Sequence, residues 1–437
     1  MTEVKAYRAR ARAPEGVGGG TRPLAKMLVV AVLACLVWLP VGALLADDGG
    51  GGDMLSERTF SRLERIYELI DEEEYEEARS QIEGLLERVA NNEFEKAFVL
   101  QLSGNLYIQR DDFESARDDL VRAYELDALG DEEVANVLDN IFMVYAQMDE
   151  FDEAVEWGKR YVQHGDEMED YTVDPDRTRL VGQLLFELDR LEDAITWFQD
   201  TIERRDEPSE QDHRLLLGGY FELERFDEAV SLLETMVGYW PEDMEYWENL
   251  YGINMELERE EEALDALAVA HRKGLFDESS HFISLYQVYM LQGAPYEAGH
   301  ILAEGIERGI VEADADNLSY LSRAWLGARE WDRAIEVLAD QAEAEGSGEP
   351  YFMIAQIEEQ RGNWEQVIQA AERSYEMGGF DRPYRALLRM GSAHFNLRNF
   401  DEAVASFELA RNYEDAEQQA SEWIELVNEE EAVLAGS

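Results

Sequence analysis

The sequence predicts an all-α chain: about ten helical hairpins stacked as a solenoid, or superhelix, and closed by a C-terminal helix. Three observations carry this. One phrase keeps returning, as DFESARDDLVRA from Asp112, EFDEAVEWGKRY from Glu150, RFDEAVSLLETM from Arg225 and NFDEAVASFELA from Asn399. Its small residue recurs at Ala78, Ala116, Ala154, Ala194, Ala229, Ala263, Ala298, Ala334, Val367 and Ala403, in steps of 33 to 40 residues. Large side chains precede it by three (Tyr75, Phe113, Phe151, Leu191, Phe226, Trp331, Trp364, Phe400) and apolar ones often follow it by four (Leu120, Leu233, Leu267, Leu302, Leu338, Phe407). Offsets of three and four share one helix face, so each phrase is an amphipathic helix with a buried stripe. The repeated residue is small because a second helix crosses closely there. A phrase repeated this often marks structure, since an active site is needed once.

The elements follow in chain order. Residues 1–46 form a basic segment (Lys5, Arg8, Arg10, Arg12, Arg22 and Lys26 against Glu3 and Glu15) running into the uncharged MLVVAVLACLVWLPVGALLA, Met27 to Ala46. That length and flank read as an export signal or an anchor, with the basic side cytoplasmic. Pro40, Gly42 and small neighbours favour cleavage after Ala43 or Ala46, and an uncleaved anchor stays open. Cys35 is the only cysteine, and VLAC loosely resembles a lipoprotein site, but eleven apolar residues follow it before Asp47. Cleavage after Ala43 leaves no cysteine and no need for a disulfide. DDGGGGD, 47–53, reads as a flexible tether.

Residues 54–414 hold the repeats. Upstream of each phrase lies a partner helix, as in LQLSGNLY (Leu100, Gly104, Tyr107) and MGSAHF (Gly391, Phe395), joined by short polar turns such as QRDD (109–112) and LRN (397–399). A lone hairpin cannot cover its own stripe, so stability comes from stacking. Glu260 and Pro295 break the aromatic rule, HGDEMEDYTVDPD (164–176) is expected to protrude, and AEGSGEP (344–350) to be a loose connection. Residues 415–430 read as a capping helix with Ala420, Trp423, Ile424 and Val427 inward, and 431–437 as a tail.

Charge and motifs narrow the function. The chain holds 97 acids and 38 Lys and Arg, net −59, and everything after residue 46 carries −63. Such a surface repels nucleic-acid phosphates and anionic lipid, so neither is an expected partner of the body; the membrane enters only through an uncleaved N-terminus. His164, His213, His271, His281, His300 and His394 fall in different repeats at no metal-ligand spacing, and no phosphate loop, dinucleotide fingerprint or nucleophile elbow is present. The expectation is a non-enzyme with no cofactor and no metal.

The period, the small residue and the Gly-then-aromatic signature of the first helix resemble the tetratricopeptide repeat (TPR). That resemblance implies protein binding on the concave face lined by the first helices. By register the facing positions are Phe98, Gln101 and Asn105, then Asn136, Asp139, Asn140 and Met143, then Arg179, Gln183, Arg214 and Glu222. Asn105 and Asn140 coincide with the asparagines of the carboxylate clamp of chaperone adaptors. Gln101, Asp176 and Leu180 stand where that clamp needs cations, which argues against terminal-carboxylate capture. A mixed amide, Met and Arg groove suits an extended or helical segment.

A closer likeness covers nearly all of 54–427. MLSERTFSRLERIYELIDEEEYEEARSQIEGLLERV (54–89), the stretches 91–129, 246–276 and 293–338, and the closing AEQQASEWIELV resemble exported TPR proteins encoded beside the energy-transducing proteins TonB, ExbB and ExbD. What this implies is a periplasmic scaffold accessory to a TonB-type outer-membrane transport system, its partners possible among those three components. The alternatives are a general envelope-assembly or secretion scaffold for extended chains, and a regulatory subunit of an envelope enzyme.

Because the body is so acidic, added salt relieves its self-repulsion. The melting temperature, followed by far-ultraviolet circular dichroism of a helical spectrum, is expected to rise from low to high salt; an unchanged midpoint would count against this reading of the charge.

Overall fold

The computed structural model describes residues 55–436, with side chains to 433. The export signal or anchor and the tether lie outside these residues. The chain divides into two compact units, meeting between Tyr239 and Trp240. Unit 1 has five hairpins: α1 (Glu57–Asp71) with α2 (Tyr75–Arg88), α3 (Glu93–Gln109) with α4 (Phe113–Glu125), α5 (Asp131–Gln147) with α6 (Phe151–Glu167), α7 (Pro175–Glu187) with α8 (Leu191–Arg204), and α9 (Glu210–Glu222) with α10 (Phe226–Tyr239). Unit 2 has five more: α11 (Met244–Glu256) with α12 (Glu260–Arg272), α13 (Ser279–Leu291) with α14 (Pro295–Glu307), α15 (Ala315–Ala328) with α16 (Trp331–Glu345), α17 (Glu349–Arg361) with α18 (Trp364–Met377), and α19 (Tyr384–Asn396) with α20 (Phe400–Arg411). A short 3₁₀ turn, Glu414–Ala416, leads into α21 (Glu417–Gly436). No strand occurs among the described residues.

The ten hairpins share one construction. The residue three before each small marker is the first residue of the second helix in every case, Glu260 and Pro295 included. All ten markers, Val367 among them, are 0% exposed. The predicted partners four residues on, such as Leu120, Leu302 and Phe407, are also buried. On the opposing helix the fit is as close: a Cβ added to Gly104 would lie 2.5 Å from Leu120, and one on Gly391 would lie 2.7 Å from Phe407. Only glycine lets the helices approach this far.

Five residues before each marker the backbone turns left-handed, with φ between 53° and 75°, and the residue there is Glu73, Asp111, Asp149, Asp189, Glu224, Glu258, Gly293, Arg329, Gly362 or Arg398. The next amide then donates back five residues, as Glu74 to the carbonyl of Leu69 and Asn399 to that of His394, at 2.8–3.1 Å throughout. This is a Schellman ending, which closes the first helix and aims the second. Eight of the ten positions are not glycine. A left-handed L-residue costs roughly 1–2 kcal/mol, so stacking must outweigh that strain. Each second helix also opens with an acid in its first turn, from Glu76 in α2 to Asp401 in α20. Carboxylates there meet the positive end of the helix dipole, worth typically 0.3–1 kcal/mol.

Two connections differ from expectation. The 164–176 stretch does not protrude: α6 continues to Glu167, and Tyr171 and Val173 fold back. The Tyr161 and Tyr171 hydroxyls sit 3.2 Å apart, and Val173 is 2% exposed. Apolar burial outweighs the pull of its acids toward water. The 344–350 connection is pinned, because the Gly348 amide donates to the Gly378 carbonyl and Ser374 Oγ donates to the Gly348 carbonyl, both at 2.7 Å. A side chain at Gly348 would strike the Ser374 carbonyl.

At the end, α21 buries Ala420 and Val427 and stacks Trp423 on Phe407 at 5.3 Å, covering the last hairpin. It runs past the 430 boundary expected for the cap, through most of the expected tail.

Because the markers have no clearance, Ala403→Leu is expected to cost about 1–3 kcal/mol, read as a lowered urea midpoint by circular dichroism.

Candidate functional site

In each hairpin the first helix presents a stripe that the second does not cover, and in unit 1 this stripe holds the residues singled out from sequence. Three of them belong to the interior. Phe98 packs among Leu63, Ile66 and Leu102 at 6% exposure, and Gln101 and Met143 are buried. Helical register had placed these on the facing side, but register assigns direction and not depth. Asn105, Asn136, Asp139, Asn140, Arg179, Gln183 and Arg214 are half-buried at the surface, and Glu222 lies at the edge of the stripe.

Several of these are engaged by the next repeat. Asn140 Nδ2 donates to Asn105 Oδ1 at 3.0 Å across α3 and α5. Asp139 accepts both nitrogens of the Arg177 fork, at 2.5 and 3.0 Å, across α5 and α7. Arg179 reaches Asp212 on α9 at 3.2 Å, and Arg205 bridges Asp212 at 2.8 Å to Asp176 at 2.5 Å. Arg214 pairs along its own helix with Glu210 at 3.1 Å. Asp212 is 1% exposed, so two guanidiniums must satisfy it. Burial works against the charged form of Asp176, yet Arg205 and Arg179 outweigh it and hold its carboxyl below the usual range. The unit 1 stripe is thus a polar ladder. Arg177, Arg205 and Asp212 were missed in the sequence, although Arg177 with Asp139 and Asp212 with Arg179 stand about one repeat apart.

Unit 2 is built differently. Its helices α13 and α19 contain no acid at all, and α15 contains one, Asp316, in a chain where 97 of 437 residues are acidic. They show half-exposed Ile283, Tyr320 and Leu388, and α17, which does carry Glu349, Glu358 and Glu359, adds Met353. Tyr286 donates its hydroxyl to the Tyr320 carbonyl at 2.9 Å, and the two rings lie 5.6 Å apart. Arg389 pairs with Glu359. Arg385 lies over the Phe352 ring at 4.6 Å. Arg385 and Arg323 are exposed, and among the described residues neither pairs with a carboxylate. Arg323 is close enough for its charge to oppose the rise that burial imposes on the Tyr286 phenol. The missed signal was plain in the sequence: helices without acids.

At the start of α13, His281 ties this stripe to α11. Its Nε2 lies 2.9 Å from Glu248, and Nδ1 lies 3.6 Å from Asp277 and accepts the Glu278 amide at 3.3 Å. His271 makes the same kind of link to Glu304, at 3.0 Å. Burial disfavours a charged His281 ring, but Glu248, with Glu278 and Asp277 behind it, outweighs burial and raises its pKa. Among the described residues, no group of three His, Cys, Asp or Glu could hold a metal, and no helix is long and apolar enough to cross a membrane.

A raised folded-state pKa means that His281 contributes fully below the unfolded value, about 6.5, and that this contribution fades as pH rises through the folded value. His281→Gln is therefore expected to destabilise most at acidic pH, the gap to the parent narrowing toward alkaline pH in denaturant titrations.

Residues 219–274 and 352–420 match the family model of the tetratricopeptide repeat. No curated protein matches the chain. Among solved structures, a tetratricopeptide repeat protein from Parabacteroides merdae is 13% identical over 66% of this chain and 94% of its own, with a TM-score of 0.34. YrrB, described as a TPR protein with an unusual peptide-binding site, is 21% identical over 42% of this chain and 89% of its own, with a TM-score of 0.32. The TPR2AB domain of yeast Sti1, in its complex with pHSP90, is 12% identical over 76% and 98%, with a TM-score of 0.25. At these scores none bears on what this chain binds. The matched stretches and the common hairpin construction make this an all-α protein of tetratricopeptide-type helical hairpins.

Proposed function

We propose that this protein is a non-enzymatic scaffold, exported to the periplasm, that holds a protein partner on its first-helix stripes as an accessory of a TonB-type energy-coupled outer-membrane transport system. Stacked hairpins of this fold offer extended surfaces suited to protein partners. The observation that carries the choice of face is the distribution of charge. Acids crowd the first turns of the second helices, whereas α13 and α19 have none. A partner laid on α13 and α19 meets apolar and amide groups without desolvating carboxylates of those helices, whose burial is costly.

The finer assignment rests on the likeness of 54–89 and the closing helix to exported TPR proteins encoded with TonB, ExbB and ExbD. Location rests on the basic and apolar N-terminus, which reads as an export signal.

In-cell crosslinking from photoreactive residues at Asn136, Gln183, Tyr320 and Gln356, followed by fractionation and mass spectrometry, tests all three parts. The expected result is TonB, ExbB or ExbD peptides in the periplasmic or inner-membrane fraction. Many unrelated envelope proteins would make it a general scaffold instead. Crosslinks confined to a second-helix control at Glu77 would overturn the face, and recovery in the cytoplasm would overturn the location.

A further inference from the structure

We infer that the first-helix stripe of unit 2, from α13 to α19, takes an internal apolar segment whose side chains carry carboxylates, seated against Arg323 and Arg385. The inference rests on the scaffold reading above and specifies its ligand. In unit 1 the arginines of the stripe, Arg177, Arg179 and Arg214, each pair with a carboxylate. Arg323 and Arg385 do not, and their two helices hold a single acid, Asp316 in the first turn of α15. Arg385 is instead held in place by the Phe352 ring at 4.6 Å, which leaves its donors turned outward from that contact.

The guanidinium fork matches a carboxylate with two parallel hydrogen bonds, which a lysine cannot reproduce. One turn from the arginines stand Tyr320 and Leu388, and α17, between the two helices in chain order, adds Met353, each half-exposed. These supply the apolar contact, and Gln356 the means to meet a backbone. The net charge of the body opposes an acidic ligand at long range, but screening confines that field to about 8 Å at physiological ionic strength. At contact the local groups decide, and here they are cationic. A basic segment would bring a second cation against two that are already unpaired.

The test uses the purified full chain and two fluorescent peptides, both acetylated and amidated, that share their Leu and Tyr residues and differ only in carrying Glu or Lys. Anisotropy is expected to show the Glu peptide binding at least about tenfold more tightly than the Lys peptide. Arg323→Ala with Arg385→Ala should abolish that preference, while Arg88→Ala on α2 leaves it intact and circular dichroism shows all variants folded. Arg385→Lys should weaken binding part of the way. Equal or tighter binding of the Lys peptide, no binding of either, or a preference that survives the double substitution would each overturn the inference. If the Glu peptide fails while a partner still crosslinks at Tyr320 or Gln356, the ligand chemistry is wrong and the scaffold reading stands. If both fail, the face itself is wrong.

Discussion

The contact on which the rest depends is the crossing of two helices at a residue with no exposed surface. Nine times the chain sets Ala, and once Val, where a neighbouring helix leaves no clearance. That closeness lets the left-handed turn five residues earlier persist on Glu, Asp and Arg, residues that do not favour it. It also fixes the angle at which the second helix leaves the first, and so which side of the first helix stays open. The candidate site is the part of the first helix that packing does not consume.

The acidity has several structural roles. Carboxylates start the second helices, pair with arginines of the following turn, as Glu76 with Arg110 at 2.6 Å, and satisfy buried guanidiniums. Each exposed pair is worth about 0–1 kcal/mol, so the ladders matter more as spacing rules than as stability. What distinguishes the two stripes is where the acids are missing. Unit 1 spends the polar groups of its stripe on contacts between repeats, whereas unit 2 leaves two cations unspent.

Much of this was legible in the sequence. The phrase around Ala403 located the first residue and the buried face of its helix, and the same arithmetic worked for Pro295, where the aromatic is missing. Trp423 and Ala420 were rightly read as covering the last hairpin. The left-handed turns were not legible, because Glu73 or Arg329 carries no sign of positive φ; only the stacked neighbours impose it. The candidate site was half legible. Asn105, Asn140 and Asp139 are on the stripe, but Phe98 is core because the groove has depth that a helical wheel does not record. Arg323 and Arg385 were passed over because a search for residues present overlooks a face marked by acids absent.

The polar bridges between repeats bear on modularity. Their partners stand one repeat apart: Asn105 with Asn140, Asp139 with Arg177, Glu248 with His281, His271 with Glu304, His300 with Arg333. The pairs vary from amide with amide to carboxylate with Arg or His, although combinations recur, as Glu76 with Arg110 and Glu192 with Arg225. The backbones are interchangeable castings, yet these joints carry keys of several kinds. Deleting a hairpin or exchanging two would keep the helices and the small-residue crossings, but it would set unmatched keys face to face. The order of the repeats is therefore written in part into the joints, and a chain that looks periodic to the eye is not the same at every step.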